Sequence, residues 1–135
     1  MTDATLVPEI LRRESRSFLQ YVHESFPWAH GSTEPLRAAV LSAATAEAEA
    51  LAELAKMLQR RRIVVPFFGA YPTAFTNYNY MSVASLRPKL IADEKLGLAD
   101  LERDIPNVVN TDLRAHLESY RDLKRKHIQE LEALS

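Results

Sequence analysis

Along the chain, four long stretches carry apolar residues every three or four positions, and proline or glycine falls between them. A period near 3.6 marks helices that turn one face inward. The first stretch predicts a helix from Leu6 to Phe26, with Pro8 in its opening turn and Pro27 just beyond its end. The second predicts a helix that starts at a Ser32 or Thr33 cap, opens with Glu34 and Pro35, and runs to Arg62. Arg60, Arg61 and Arg62 close it, where cations suit the helix dipole. The third runs from Pro88 to Arg103, capped by Ser85 or continuous with a helical turn from Ala74 that kinks at Pro88. Pro106 breaks the chain, and the fourth helix runs from Thr111 to Leu134. No stretch sustains a period of two, so no sheet is predicted.

The segment Ile63–Tyr80 is of another kind. It holds Pro66, Gly69 and Pro72, and six aromatic residues: Phe67, Phe68, Tyr71, Phe75, Tyr78 and Tyr80. So apolar a connection is not a loose linker, and it is expected to cross over along the outside of the helices with its rings buried. A long crossover makes the second and third helices parallel. The predicted fold class is therefore all-α, a four-helix bundle forming a single domain over residues 1–135.

Composition removes several classes of function. Seventeen Lys and Arg against eighteen Asp and Glu leave a formal charge of -1, which gives no general attraction to nucleic acid or an anionic membrane. The absence of cysteine excludes disulfides, iron–sulfur clusters, Cys-ligated zinc and thiol catalysis. Three glycines, in no phosphate-binding pattern, leave no phosphate-cradling loop. No apolar run reads as a membrane span or a signal segment, so a cytoplasmic location is expected, with no nucleic-acid and no membrane partner.

What changes the picture is that every apolar stripe is interrupted by an ionisable residue. In the first helix Glu14 lies among Val7, Ile10, Leu11, Phe18, Tyr21 and Val22. In the second, Glu47 lies among Leu36, Val40, Ala43, Ala44, Leu51, Leu54 and Leu58. Glu94 interrupts Val83, Leu90, Ile91, Leu98, Leu101 and Ile105 in the third. Lys124 and His127 interrupt Leu113, Leu117, Tyr120, Leu123, Leu131 and Leu134 in the fourth. A single such residue is most often a boundary residue whose tip reaches water. All of them fall near mid-helix, so in a bundle they meet at a similar depth, where buried charges must pair or hold a cation.

Taken together these residues make the chain resemble the ferritin-like family, in its bacterioferritin and rubrerythrin branch. That resemblance implies a di-iron site with a Glu on the first and third helices and Glu-x-x-His on the second and fourth. Glu14, Glu47 and Glu94 match the three glutamates and His127 matches the second histidine. Ala50 stands at the position of the first histidine, and Lys124 at that of the fourth glutamate. Both Glu-x-x-His pairs are thus broken. Ala50 offers no ligand atom, and the Lys124 ammonium would sit where a cation belongs.

Two readings follow. In one, the bundle is a non-catalytic scaffold or interaction protein with no cofactor and a retired metal site. Lys124 is then the internal counter-ion of Glu14, Glu47 and Glu94, and His127 and a shared proton complete the charge balance. In the other, Glu14, Glu47, Glu94 and His127 hold iron or another divalent transition metal in a ferroxidase or oxidase with an altered site. A plain helical adaptor is a third possibility. Ferritin-like chains often pair through the first two helices, and the second is alanine-rich here, so a homodimer is expected; the sequence identifies no protein partner. Tyr21 and Tyr120, one or two turns from the cluster, read as core packing. Trp28 reads as a plug over one end, and Arg12, Arg13 and Arg16 as a basic patch diluted by Glu9 and Glu14.

Overall fold

A computed structural model describes every residue except Phe26 and Ser135. It is all-α. Among the described residues there are five α-helices: α1 (Asp3–Ser15), α2 (Phe18–Ser25), α3 (Glu34–Arg60), α4 (Val83–Asp104) and α5 (Thr111–Ala133). Short 3-10 turns occupy Gly31–Thr33, Thr73–Tyr78 and Ile105–Asn107. Strands are absent among those residues; a single parallel bridge joins Trp28 to Ser82.

The predicted first helix is two helices. The chain breaks at Arg16–Ser17, where no proline or glycine stands. Ser17 Oγ accepts from the Gln20 N–H at 3.3 Å, and Asp93 Oδ2, reaching over from α4, accepts from the Phe18 N–H at 3.1 Å. These contacts satisfy the opening donors of α2. The expected end of this helix at Phe26 lies outside the described residues.

At 27 residues, α3 is about 40 Å long. It closes with Arg62 in the left-handed region at φ 58°, so that Ile63 N–H bonds back to Leu58 O at 2.9 Å and Arg62 N–H to Gln59 O at 3.0 Å. The start of α4 is five residues earlier than Pro88, at Val83, and its cap is Ser82 rather than Ser85: Ser82 Oγ accepts from the Ser85 N–H at 3.2 Å. Asn110 caps α5 through the N–H groups of Asp112 and Leu113. Asp3, at the other end of the sequence, accepts from the N–H groups of Val109 and Asn110 and ties α1 to this turn.

The core falls into two apolar clusters. One gathers Val7, Ile10 and Leu11 of α1, the C-terminal half of α3 (Leu51, Leu54, Leu58), Leu101 of α4, and the N-terminal half of α5 (Leu113, Leu117). The other gathers Phe18, Leu19 and Val22 of α2, the N-terminal half of α3 (Leu36, Val40, Ala43, Ala44), Val83, Leu86 and Leu90 of α4, and Leu131 of α5. The N-terminal halves of α3 and α4 therefore share one cluster. The segment joining these helices begins against the first cluster with Ile63, Val65 and Phe68 and ends against the second with Phe75, Tyr78 and Met81.

The expected burial of all six rings is corrected. Phe68, Tyr71, Phe75 and Tyr78 are half-buried, whereas Phe67 and Tyr80 are more than nine-tenths exposed. Phe75 and Tyr78 meet Phe18 edge-on at 5.1 Å between ring centroids. Trp28 is half exposed, not a plug; its Nε1 donates to the backbone carbonyl of Tyr80 at 3.0 Å and pins the end of the segment.

Candidate functional site

Between the two apolar clusters every long helix contributes a charged or polar side chain. Glu14 follows Leu11 and precedes Phe18; Glu47 lies between Ala44 and Leu51; Glu94 between Leu90 and Leu101; Lys124 and His127 between Tyr120 and Leu131. Each sits on the inward stripe of its helix, so the folding that buries the leucines buries these groups too. All five are at most 5% exposed.

They converge on the Lys124 ammonium. Its Nζ lies 2.9 Å from Glu14 Oε1, 3.0 Å from Glu47 Oε1 and 2.8 Å from Glu94 Oε1, one carboxylate from each of three other helices. It donates hydrogen bonds to Glu47 and Glu94. The Tyr120 hydroxyl donates to Glu14 Oε1 at 2.7 Å and lies 3.3 Å from Glu47 Oε1. His127 Nδ1 stands 2.6 Å from Glu47 Oε2. A carboxylate is an acceptor only, so the proton of this bond is on Nδ1.

The electrostatics separate the two most buried glutamates. Burial alone would raise the Glu47 carboxyl, but the Lys124 charge and the His127 hydrogen bond outweigh it and hold Glu47 at about 2. Burial, joined by the charge on Glu47, pushes Glu94 well above the usual carboxylate range despite Lys124. Of the three carboxyls facing Lys124, Glu94 is therefore the one whose protonated form burial favours most. Burial disfavours a charged lysine, yet Glu14, Glu94 and Glu47 together hold Lys124 well above its ordinary value. Burial and the same carboxylates keep Tyr120 a neutral donor.

The donor set does not fit a two-ion centre. The Ala50 side chain has no ligand atom; its carbonyl accepts from His116 Nε2 at 2.8 Å. Lys124 fills the space among the carboxylates with positive charge. Glu47, Glu94 and His127 could each offer one ligand atom, all within 4.8 Å of one another, and Glu94 Oε2 is buried with no hydrogen-bond partner. Glu14 falls outside that trio. For a metal to take the Nδ1 position, His127 would have to release the proton it shares with Glu47.

The residues singled out from sequence are thus brought together: Glu14, Glu47, Glu94, Lys124 and His127 share one buried layer. Tyr120, read from sequence as core packing one turn from the cluster, belongs to it as well through its hydroxyl. Tyr21 does not: its hydroxyl bonds Asn79 on the connecting segment. Gly97 is the other missed residue. A Cβ there would stand 3.1 Å from Glu14 Oε2 and 3.5 Å from Lys124 Nζ, so glycine at 97 makes room for the ion pair.

No family model matches the sequence, and no curated protein or solved structure matches it. No helix among the described residues is long and apolar enough to cross a membrane.

Proposed function

We propose that this chain is a ferritin-like four-helix bundle, with α1 and α2 as one interrupted helix, in which Lys124 takes the place of the metal and the protein serves as a non-catalytic scaffold or interaction module. The observation that carries the reading is the single ammonium within 3.0 Å of glutamates from α1, α3 and α4. It supplies the positive charge that an ion would supply, with no ligand exchange and no open coordination position, so it offers no redox or Lewis-acid chemistry. The shared cluster of the N-terminal halves of α3 and α4, and the segment that passes from one cluster to the other, support the crossover.

The test is elemental analysis of the purified protein before and after incubation with ferrous iron. Substoichiometric metal in both samples is expected; one transition metal per chain would overturn the reading. The double change Ala50→His with Lys124→Glu should restore iron binding if the helices keep the ferritin-like geometry. A folded double variant that takes up no iron would count against the family.

The orphaned Glu94 Oε2 favours a second reading, a single divalent ion on Glu47, Glu94 and His127. Its mark would be uptake of one zinc or iron with release of a proton, abolished in His127→Ala. We further propose a homodimer through the alanine-rich face of α3; a monomer in sedimentation at high micromolar concentration would refute it. Cytoplasmic residence and a lack of nucleic-acid binding belong to the same proposal.

A further inference from the structure

Beside the buried layer, a cleft of about 420 Å3 opens between α1, α4 and the connecting segment. That is the size of a small-ligand pocket rather than a peptide groove. Its floor is where Gly97 lacks a side chain: the Cβ position there lies over Glu14 Oε2 and Lys124 Nζ. Glu14 is only 3% exposed. Its Oε1 takes both the Tyr120 hydroxyl and Lys124, while Oε2 receives no hydrogen bond from any described residue. One carboxylate oxygen of a buried residue thus faces the cleft with its acceptor capacity unused.

The lip is basic and shaped in advance. Arg16 donates through Nε to Gly69 O at 2.7 Å, and its guanidinium lies over the rings of Phe68 and Tyr71 at 5.4 and 4.7 Å from their centroids. Among the described residues it pairs with no carboxylate, and Nη2 donates to none. Arg12, one turn back on the same face, and Arg13 line the cleft as well, beside Asp93 and Asp100, but Arg12 is paired with Glu9 and Arg13 with Asp100 and Asp104, which leaves Arg16 as the lip's unpaired arginine among the described residues. A fixed guanidinium without a counter-ion is a carboxylate site. Phe75 and Leu96 supply apolar wall between lip and floor.

The floor selects a neutral donor. Glu14 Oε2 and the Lys124 ammonium lie side by side at Gly97, 3.1 and 3.5 Å from a Cβ built there, so a second cation is repelled, whereas a hydroxyl can donate to Oε2 without that penalty. We propose that this cleft binds a small hydroxy acid, its hydroxyl donating to Glu14 Oε2 above Gly97 and its carboxylate meeting the Arg16 guanidinium. This site is separate from the metal question, because it uses the carboxylate oxygen that Lys124 leaves free.

The test is a proton–nitrogen NMR titration of the full chain with lactate, 3-hydroxybutyrate and malate, each against its deoxy counterpart propionate, butyrate or succinate at matched ionic strength. Saturable shifts at the Gly97 amide and at the amides of residues 14–17 are expected for at least one hydroxy acid. It should bind about fivefold tighter than its counterpart, the worth of one net hydrogen bond. Gly97→Val should abolish binding by filling the floor. Arg16→Gln should weaken the hydroxy acid and its counterpart alike, and it serves as the test if the valine variant does not fold. Weaker binding in Arg16→Gln with a retained preference for the hydroxyl supports both contacts. No saturable shift with any of the three acids, equal affinity for every pair, or unchanged binding in Arg16→Gln would overturn the proposal.

Discussion

Two groups of ion pairs sit on the same helices at nearly the same distances and in different solvents. In the buried layer Lys124 meets Glu14, Glu47 and Glu94 at 2.8–3.0 Å, with side chains at most 3% exposed. Farther along α4, Asp104 meets Arg13 and Arg103 at 3.0 Å each, with the arginine side chains 25% and 63% exposed. Burial alone would raise Asp104, but the hydrogen bonds from Arg103 and Arg13 outweigh it and hold the carboxyl below its ordinary value. At this outer site water can replace either arginine. Inside, nothing can replace the lysine. The comparison teaches that the N···O distance says little about what a pair contributes; the cost of leaving its partner alone decides.

The largest effect should come from removing the common partner. Lys124→Ala is expected to destabilise by about 3–5 kcal/mol in chemical denaturation, because it strands three carboxylates in the core. A loss under about 1 kcal/mol would erase the distinction between the two sites.

The next test separates the glutamates. Glu47→Gln removes a charged acceptor of Lys124, Tyr120 and His127 and should cost about 2–3 kcal/mol at pH 7. Glu94→Gln copies the neutral form that burial favours at this position and should cost under about 1 kcal/mol. Their pH dependences run in opposite senses. The Glu47 carboxyl is lowered to about 2, so its stabilisation is present above its unfolded value of 4.5 and is lost as pH falls through 2. The Glu47→Gln variant should therefore show a flatter acid limb. Glu94 is raised, so its contribution is complete below 4.5 and is lost as pH rises through its folded value. Glu94→Gln should gain on the parent as pH rises, and parallel stability curves for the two variants would contradict the opposite shifts of the two carboxyls.

Asp104→Asn should cost about 1 kcal/mol, with the loss shrinking in high salt, since the site is only partly shielded. At the bottom of the scale is the exposed pair of Lys95 and Glu132, 3.2 Å apart with both side chains about half exposed. Lys95→Ala should change the unfolding free energy by less than about 0.5 kcal/mol.

The buried layer was legible because Glu14, Glu47, Glu94, Lys124 and His127 interrupt apolar stripes whose period is otherwise regular. A break in a strong pattern can be seen without a structure. Other features had no such background. The kink at Arg16–Ser17 is held by Asp93, 75 residues from the amide it caps, and its one local mark, Ser17 three residues before Gln20, lies inside an apolar stripe that reads as unbroken. Phe67 and Tyr80 lie in an aperiodic segment, where an apolar side chain does not say which way it faces. Tyr120 matched its stripe, so core packing outweighed a polar role beside the cluster. Gly97 stands in α4 with no motif around it, and only the approach of Glu14 supplies its reason.

One lysine reaching three helices also fixes how far along its axis each helix stands. Sliding α5 by a single turn would carry Nζ about 5.4 Å, out of reach of all three glutamates. The leucine layers on either side would object far less, because each turn replaces one aliphatic side chain with another. The apolar clusters hold the helices together, and the charged layer acts as a key that admits one vertical register among several of similar cohesion. With the five charged and polar groups replaced by leucine and methionine, the chain should stay helical and could even be harder to unfold. It should lose its single alignment, visible as broadened and multiplied side-chain methyl signals in NMR spectra; one sharp set would show that shape alone sets the register.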